Sequence, residues 1–182
     1  MFSNTMIRFS KTLLSGVAFA LLVAPLSAPL PAQAQPKPTS LGAFKDWAAY
    51  TYNSGKSKVC YIVSQPKDSK PKGLNRDPVF FLVTHRPGDK VRNEVNTIIG
   101  YPFRKGSTTS VTVDKASVFK FFTSGDGAWA GSRVADRNVV QAMKAGTSMV
   151  IVGRSARGTK TTDRYSLAGV SAAMKKIDET CR

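Results

Sequence analysis

A mainly β domain, most simply a two-sheet sandwich with one short helix and a C-terminal helix, is the fold class this sequence predicts. Three observations carry the prediction. Seven or eight short runs rich in β-branched and aromatic residues follow one another, each ended by a turn cluster. Only two segments carry the 3-4 spacing of an amphipathic helix. No repeat, heptad or long low-complexity tract competes with either signal.

The elements follow in order. Before them, Arg8 and Lys11 flank an apolar run from Leu13 to Ala24, and Pro25, Pro29 and Pro31 lead to Ala32-Gln33-Ala34. That is the layout of a secretory signal peptide over residues 1–34, cleaved after Ala34. The apolar core is short of the roughly 20 residues a membrane span needs, and no lipobox cysteine lies near the cleavage site. Residues 35–41, "QPKPTSL", read as a mobile leader. A single domain then occupies 42–182. Of the 27 basic residues, Arg8 and Lys11 fall in the leader peptide and none of the 11 acidic ones does. The exported part therefore carries 25 against 11, a net charge of +14.

"AFKDWAAYTYN" is aromatic and strand-like, and Asn53-Ser54-Gly55 turns it towards "SKVCYIVSQ". "PKDSKPKGLNRDP" is a loop. "VFFLVT" is continuously apolar, as expected for a strand buried on both faces. "RPGD" suits a type II turn, and "KVRNEVNTII" alternates as the partner strand of a hairpin. "GYPFRKGSTTSVTVD" gives a turn and a short strand. "SVFKFFTS" and "GAWAGS" then flank the loop 124–127. In "DRNVVQAMKAG", Asp136 is the expected N-cap, with Val139, Val140 and Met143 on one side and Gly146 past the end. "SMVIVGRS" and "TKTTDRYSL" form a closing hairpin about Ala156-Arg157-Gly158. In the last segment Leu167, Val170, Met174, Ile177 and Cys181 step by 3, 4, 3 and 4, one apolar helix stripe.

That stripe explains a cysteine in the penultimate position. The only other cysteine, Cys60, sits in the strand-like "VCYIV". An exported chain can join the two, stapling the terminal helix to the sheet across a loop of about 120 residues. Two separate thiols are the alternative.

Catalytic groups are sparse. His85 is the lone histidine, so a multi-histidine metal centre is excluded, and its place beside a turn reads as a surface position. No G-x-S-x-G or S-x-x-K element supports a nucleophile. "GDG" at 125–127 and "GRSARG" at 153–158 lack the Lys-Ser/Thr ending of a phosphate loop and read as turns. No cofactor or metal is called for. The basic excess gathers in two clusters. One holds Lys56, Lys58, Lys67, Lys70, Lys72 and Arg76 against Asp68; the other holds Arg154, Arg157, Lys160 and Arg164 against Asp163. Such clusters are either a solvated surface or the footprint of a polyanion. Lys67, Lys70, Lys72, Arg76, Arg154 and Arg157 are the anion-binding candidates. Among them the loop from Lys67 to Arg76, with its prolines, presents several charges together.

The order "FKDWAAYT", "KVCYIVSQPK", "NEVNTIIGYPFRKGSTTSVTVD", "FKFFTSGDGAWA", "DRNVVQAMKAGTSMVIVGRSARGTKTTDRYSLAGVSAAMKKI" and closing Cys181 resembles the invasion-associated locus B family of exported alphaproteobacterial proteins. The resemblance spans Phe44 to Cys181. It implies an immunoglobulin-like β-sandwich and a periplasmic or secreted location, and it supplies no catalytic residue. Many members carry a Gly-Cys element where this chain has Gly127-Ala128, which marks a variant branch. The expectation is a non-catalytic envelope-associated binding protein that does not span the membrane. Its partner would be an anionic surface (lipopolysaccharide or phospholipid headgroups) or an envelope protein, export arguing against nucleic acid. An Asp-dependent hydrolase of cell-wall glycan is the alternative, and would need two carboxylates facing one cleft.

Overall fold

The computed structural model describes residues 37–182. The expected signal peptide lies outside the described residues. Strand β1 (Thr39–Phe44) starts inside the stretch expected as a mobile leader, so residues 39–41 belong to a sheet edge instead. After it come β2 (Trp47–Ser54), β3 (Ser57–Ser64), β4 (Asp68–Lys70) and β5 (Phe80–Arg86). A 3₁₀ turn (Pro87–Asp89) leads into β6 (Val91–Ile98), β7 (Thr108–Val113), β8 (Ser117–Ser124) and β9 (Gly127–Trp129). Helix α1 (Arg133–Ala145), β10 (Ser148–Arg154), β11 (Lys160–Ser166) and helix α2 (Val170–Thr180) complete the chain. The domain is mainly β with two helices, as expected. The hydrogen bonding, however, runs through one antiparallel sheet in the order β1-β2-β3-β5-β6-β9-β8-β7-β10-β11-β4, where the sequence suggested two sheets.

The sheet is rolled, and its core shows by how much. Phe81 on β5 meets Phe121 on β8 at 6.4 Å between ring centroids and Tyr165 on β11 at 6.0 Å. β5 and β11 are six strands apart in the sheet order, a distance of about 29 Å on a flat sheet at roughly 4.8 Å per strand. Only a sheet curled back over its own inner face brings those rings together. Trp47 joins Phe81 edge-on at 6.3 Å, and its indole N–H donates to the Ser166 carbonyl at 3.1 Å.

Both helices lie against that inner side, α1 on β6 and α2 on β1, β2 and β3. Among the described residues no helix covers the outer face, which changes the reading of β5. Phe81, Val83 and His85 are buried, while Phe80, Leu82 and Thr84 are half-buried, so this strand is buried on one face and only partly covered on the other. The type II turn expected at Pro87-Gly88 is a 3₁₀ turn. The fixed proline φ suits its first position, and the Lys90 N–H closes it on the Pro87 carbonyl. The helix cap also differs. Ser132 is the N-cap of α1, its hydroxyl accepting from the Ala135 N–H at 3.1 Å. Asp136 is buried in the first turn and accepts from the Val95 N–H at 3.0 Å, tying α1 to β6.

The terminal helix is held as its stripe requires. Leu167, Val170, Met174, Ile177 and Cys181 are all buried, and Cys181 is bonded to Cys60 across 121 residues of sequence. At the other end Gly169 has φ 95°, and a Cβ there would lie 1.8 Å from the Phe44 carbonyl oxygen. Glycine is needed where the helix start crosses the β1–β2 turn.

Candidate functional site

A cleft of about 480 Å³ opens between the loop at 74–77, the segment at 100–102 and the β10–β11 turn. Its rim is sewn together by Gly100. The Asp77 N–H donates to the Gly100 carbonyl at 3.0 Å, and a Cβ on Gly100 would collide with the Asp77 carbonyl. Arg76 and Tyr101 line it. Arg76 places Nη1 3.0 Å from Asp163 Oδ2 and 3.2 Å from the Ile99 carbonyl, and its Nη2 meets Asp163 Oδ1. The Ser69 hydroxyl donates to the same carboxylate at 2.7 Å. The Arg76 side chain is 9% exposed and that of Asp163 is 1% exposed. The bidentate bond to Asp163 pushes the Arg76 pKa up, against the effect of burial.

One of the expected anion contacts is thus held in an ion pair within the fold. Arg76 is spent on a buried ion pair and does not offer its charge to solvent. The geometry also bears on hydrolysis, which needs an acid and a base facing one space. Asp77 is the carboxylate of the cleft lining, while the oxygens of Asp163 are taken by Arg76 and Ser69.

Two of the other loop candidates are paired at the surface, their side chains more than half exposed. Lys67 pairs with Asp46, and Lys72 pairs with Asp68. These contacts hold the Asp46 and Asp68 carboxyls below the usual carboxylate range, the lysine hydrogen bond being the first cause in each. Asp68 inside the loop, and Asp46 and Asp163 from outside it, therefore offset three of the four loop cations. Arg157 lines the cleft. Lys70 and Arg154 sit on strands and belong to a different surface.

His85 is not a surface residue. It is fully buried on β5, directly opposite Cys60 of β3. Its Nδ1 accepts from the Asn93 N–H at 3.1 Å, so the neutral ring carries its proton on Nε2, 2.9 Å from Asp178 Oδ1. Arg92 donates to that same oxygen at 2.9 Å and to the Cys181 carbonyl at 3.1 Å. The His85–Asp178 contact fastens α2 to the sheet beside the disulfide, with the histidine wholly buried and the Asp178 side chain 39% exposed at the surface. The histidine looked like a turn residue because only two residues separate it from Gly88. The strand alternation Phe81, Val83, His85 is the signal that places it inside.

The outer face of β8, β7, β10 and β11 gathers what the sequence left scattered. Strand register aligns Lys120, Ser110, Val152, Thr162 and Lys70 in one row across five strands. Beside it Phe122 faces Thr108, and Arg154 faces Lys160. Lys120, Arg154 and Lys160 surround a shallow depression of about 210 Å³ with Thr108 and Ser110. Among the described residues none of these three cations has a carboxylate partner. Arg154 is oriented by donating to the Gly158 carbonyl at 2.9 Å. Lys120 escaped the charge-cluster reading because it is isolated in sequence. Alternation in "SVFKFFTS" would have found it, since Val118, Lys120 and Phe122 share one parity and Phe119 and Phe121 the other.

No helix among the described residues is long and apolar enough to cross a membrane, and they hold no group of His, Cys, Asp and Glu suited to a metal ion. A search of curated protein sequences finds no match. The crystal structure of invasion associated protein b from Bartonella henselae has a similar fold. Its TM-score is 0.54 at 17% identity, with 78% of this chain and 97% of that chain covered. The family model for invasion associated locus B (IalB) protein matches residues 47–178, from the first core tryptophan to the aspartate that holds His85. Across nearly the whole of the β domain, then, this chain belongs to the invasion associated locus B family.

Proposed function

We propose that this chain is an exported, non-catalytic binding domain of the bacterial envelope that engages an anionic envelope component. The observation that carries the reading is the outer sheet face, where Lys120, Arg154 and Lys160 meet hydroxyls and no carboxylate among the described residues. Cations placed that way are free to pair with something outside the molecule, unlike Lys67, Lys72 and Arg76, which are already matched. The Cys60–Cys181 bond supports an oxidising compartment, periplasmic or secreted. On this reading the rolled sheet, packing two stretches of its inner face through one core, is a sandwich of the immunoglobulin-like kind expected for the family.

The test is a salt titration of binding. The chain from Gln35 is mixed with lipopolysaccharide, with anionic vesicles and with neutral vesicles. Anion-selective binding that weakens steeply as the ionic strength rises is expected, because the Debye length falls from about 10 Å at 0.1 M to about 3 Å at 1 M salt. Equal binding to neutral vesicles, or none to any anionic target, would end this reading.

A further inference from the structure

Resting on that reading, we propose that the anionic component is a lipid bilayer surface, and that the protein docks on it through the outer face of β8, β7, β10 and β11. Val118 and Phe122 would enter the boundary between headgroups and acyl chains. Lys120, Arg154 and Lys160 would take lipid phosphates.

Three observations favour a lipid surface over other anions. Val118 is 62% exposed and Phe122 52% exposed, an unusual placement for large apolar side chains on a strand face, and Lys120 lies between them on the same strand. A soluble polyanion would use the lysine and have no use for its two apolar neighbours. The cations also adjoin the apolar pair: Phe122 pairs with Thr108, which lines one depression with Lys120, Arg154 and Lys160, and Lys120 stands between Phe122 and Val118, so charges and apolar side chains share one face. Finally, the apolar side of the patch continues. Phe122 stacks on Trp129 at 5.8 Å, and Trp129 pairs with Asn96 of β6, next to the half-buried Ile98. Aromatic residues beside cations, one end apolar and one end wet, suit the headgroup layer. A second copy of this chain is the poorer occupant, because a symmetric pairing of the face would oppose Lys120, Arg154 and Lys160 to their own images.

The experiment uses the chain from Gln35 with vesicles of phosphatidylglycerol in phosphatidylcholine, vesicles of phosphatidylcholine alone, and soluble polyphosphate. Trp129 supplies an internal reporter, since the other tryptophan, Trp47, is 1% exposed. Binding to the anionic vesicles should be quenched by brominated acyl chains. A Lys120→Gln/Arg154→Gln/Lys160→Gln variant should bind them roughly a hundred-fold more weakly, at about five-fold per basic residue near an anionic surface. A Val118→Ser/Phe122→Ser variant should lose roughly ten-fold and lose the quenching, while keeping its affinity for polyphosphate. Both variants change exposed side chains, and circular dichroism checks that each folds. If the Val118/Phe122 variant binds vesicles as the parent does, and brominated lipid does not quench, the lipid inference is overturned while the anion reading stands. If the parent binds neither vesicles nor polyphosphate, the anion reading itself falls. If the triple variant binds like the parent, this face is not the site.

Discussion

Replacing Arg76 by Met should unfold much of the margin of stability while leaving anion binding alone. The side chain is 9% exposed and its partner Asp163 1% exposed, so the variant strands a carboxylate that keeps only the Ser69 hydroxyl as donor. Removing one member of such a pair costs about 3–5 kcal/mol, a large share of the roughly 5–15 kcal/mol that holds a domain together. With a urea m-value of about 2 kcal/mol per M, the midpoint should drop by roughly 2 M. The second arm of the test is the double variant Arg76→Met/Asp163→Leu, which removes both charges and should recover most of the loss. Urea titration followed by near-UV circular dichroism measures both. A single variant within about 1 kcal/mol of the parent would mean the pair behaves as a solvated surface contact, refuting the assignment of Arg76 as structural. A large loss of anion binding in the folded single variant would refute it from the other side.

Further outcomes follow from the same geometry. Cys181→Ser should lower stability by up to roughly 5 kcal/mol on the chain-entropy account of a 121-residue separation, and a thiol assay on the oxidised parent should find no reactive cysteine. Burial raises the Asp136 carboxyl above the usual carboxylate range, against the lowering effect of the Val95 N–H, so its ionisation opposes folding as the pH rises through that raised value. Asp136→Asn keeps an acceptor for Val95 and should match or exceed the parent in thermal stability at neutral pH, with a smaller advantage in acid. The Asp114 carboxyl is held low by the Ser148 and Thr147 N–H groups. Its stabilising contribution is present above the ordinary carboxylate value and is lost as the pH falls through the lowered one. A pH series of melting curves on Asp114→Asn should therefore converge with the parent in strong acid. Gly169→Ala, which combines a positive φ with a clash on the Phe44 carbonyl, should destabilise by more than about 1 kcal/mol.

What could be read from the sequence, and what could not, divides along local and non-local physics. Most of the strands, both helices and the Cys60–Cys181 bond follow from periodicity and the expected export, which are properties of short stretches, whereas β4 lies in a segment that reads as a loop and β1 begins in one that reads as a mobile leader. The single rolled sheet does not, because β4 pairs with β11, almost a hundred residues away, and nothing local encodes that register. The same holds for charge. Lys67, Lys70, Lys72 and Arg76 crowd together in sequence and look like a binding loop. Folding brings Asp46 and Asp163 to two of them, contacts 21 and 87 residues distant in the chain. Lys120 and Arg154, 34 residues apart, become neighbours across β8, β7 and β10. Clustering along the chain does not show which cations meet a carboxylate in the fold, whereas strand parity in "SVFKFFTS" places Lys120 on the outer face with Val118 and Phe122.

The central claim is that the sheet face, and neither the loop nor the cleft, is the binding surface. Two variants decide it most directly when their affinities for phosphatidylglycerol-containing vesicles are compared at one low salt concentration. Lys120→Gln/Arg154→Gln/Lys160→Gln should weaken binding by roughly a hundred-fold. Lys67→Gln/Lys72→Gln, which removes cations already matched by Asp46 and Asp68, should stay within a few-fold of the parent. The opposite order, with the loop variant losing binding and the sheet-face variant keeping it, would contradict the account.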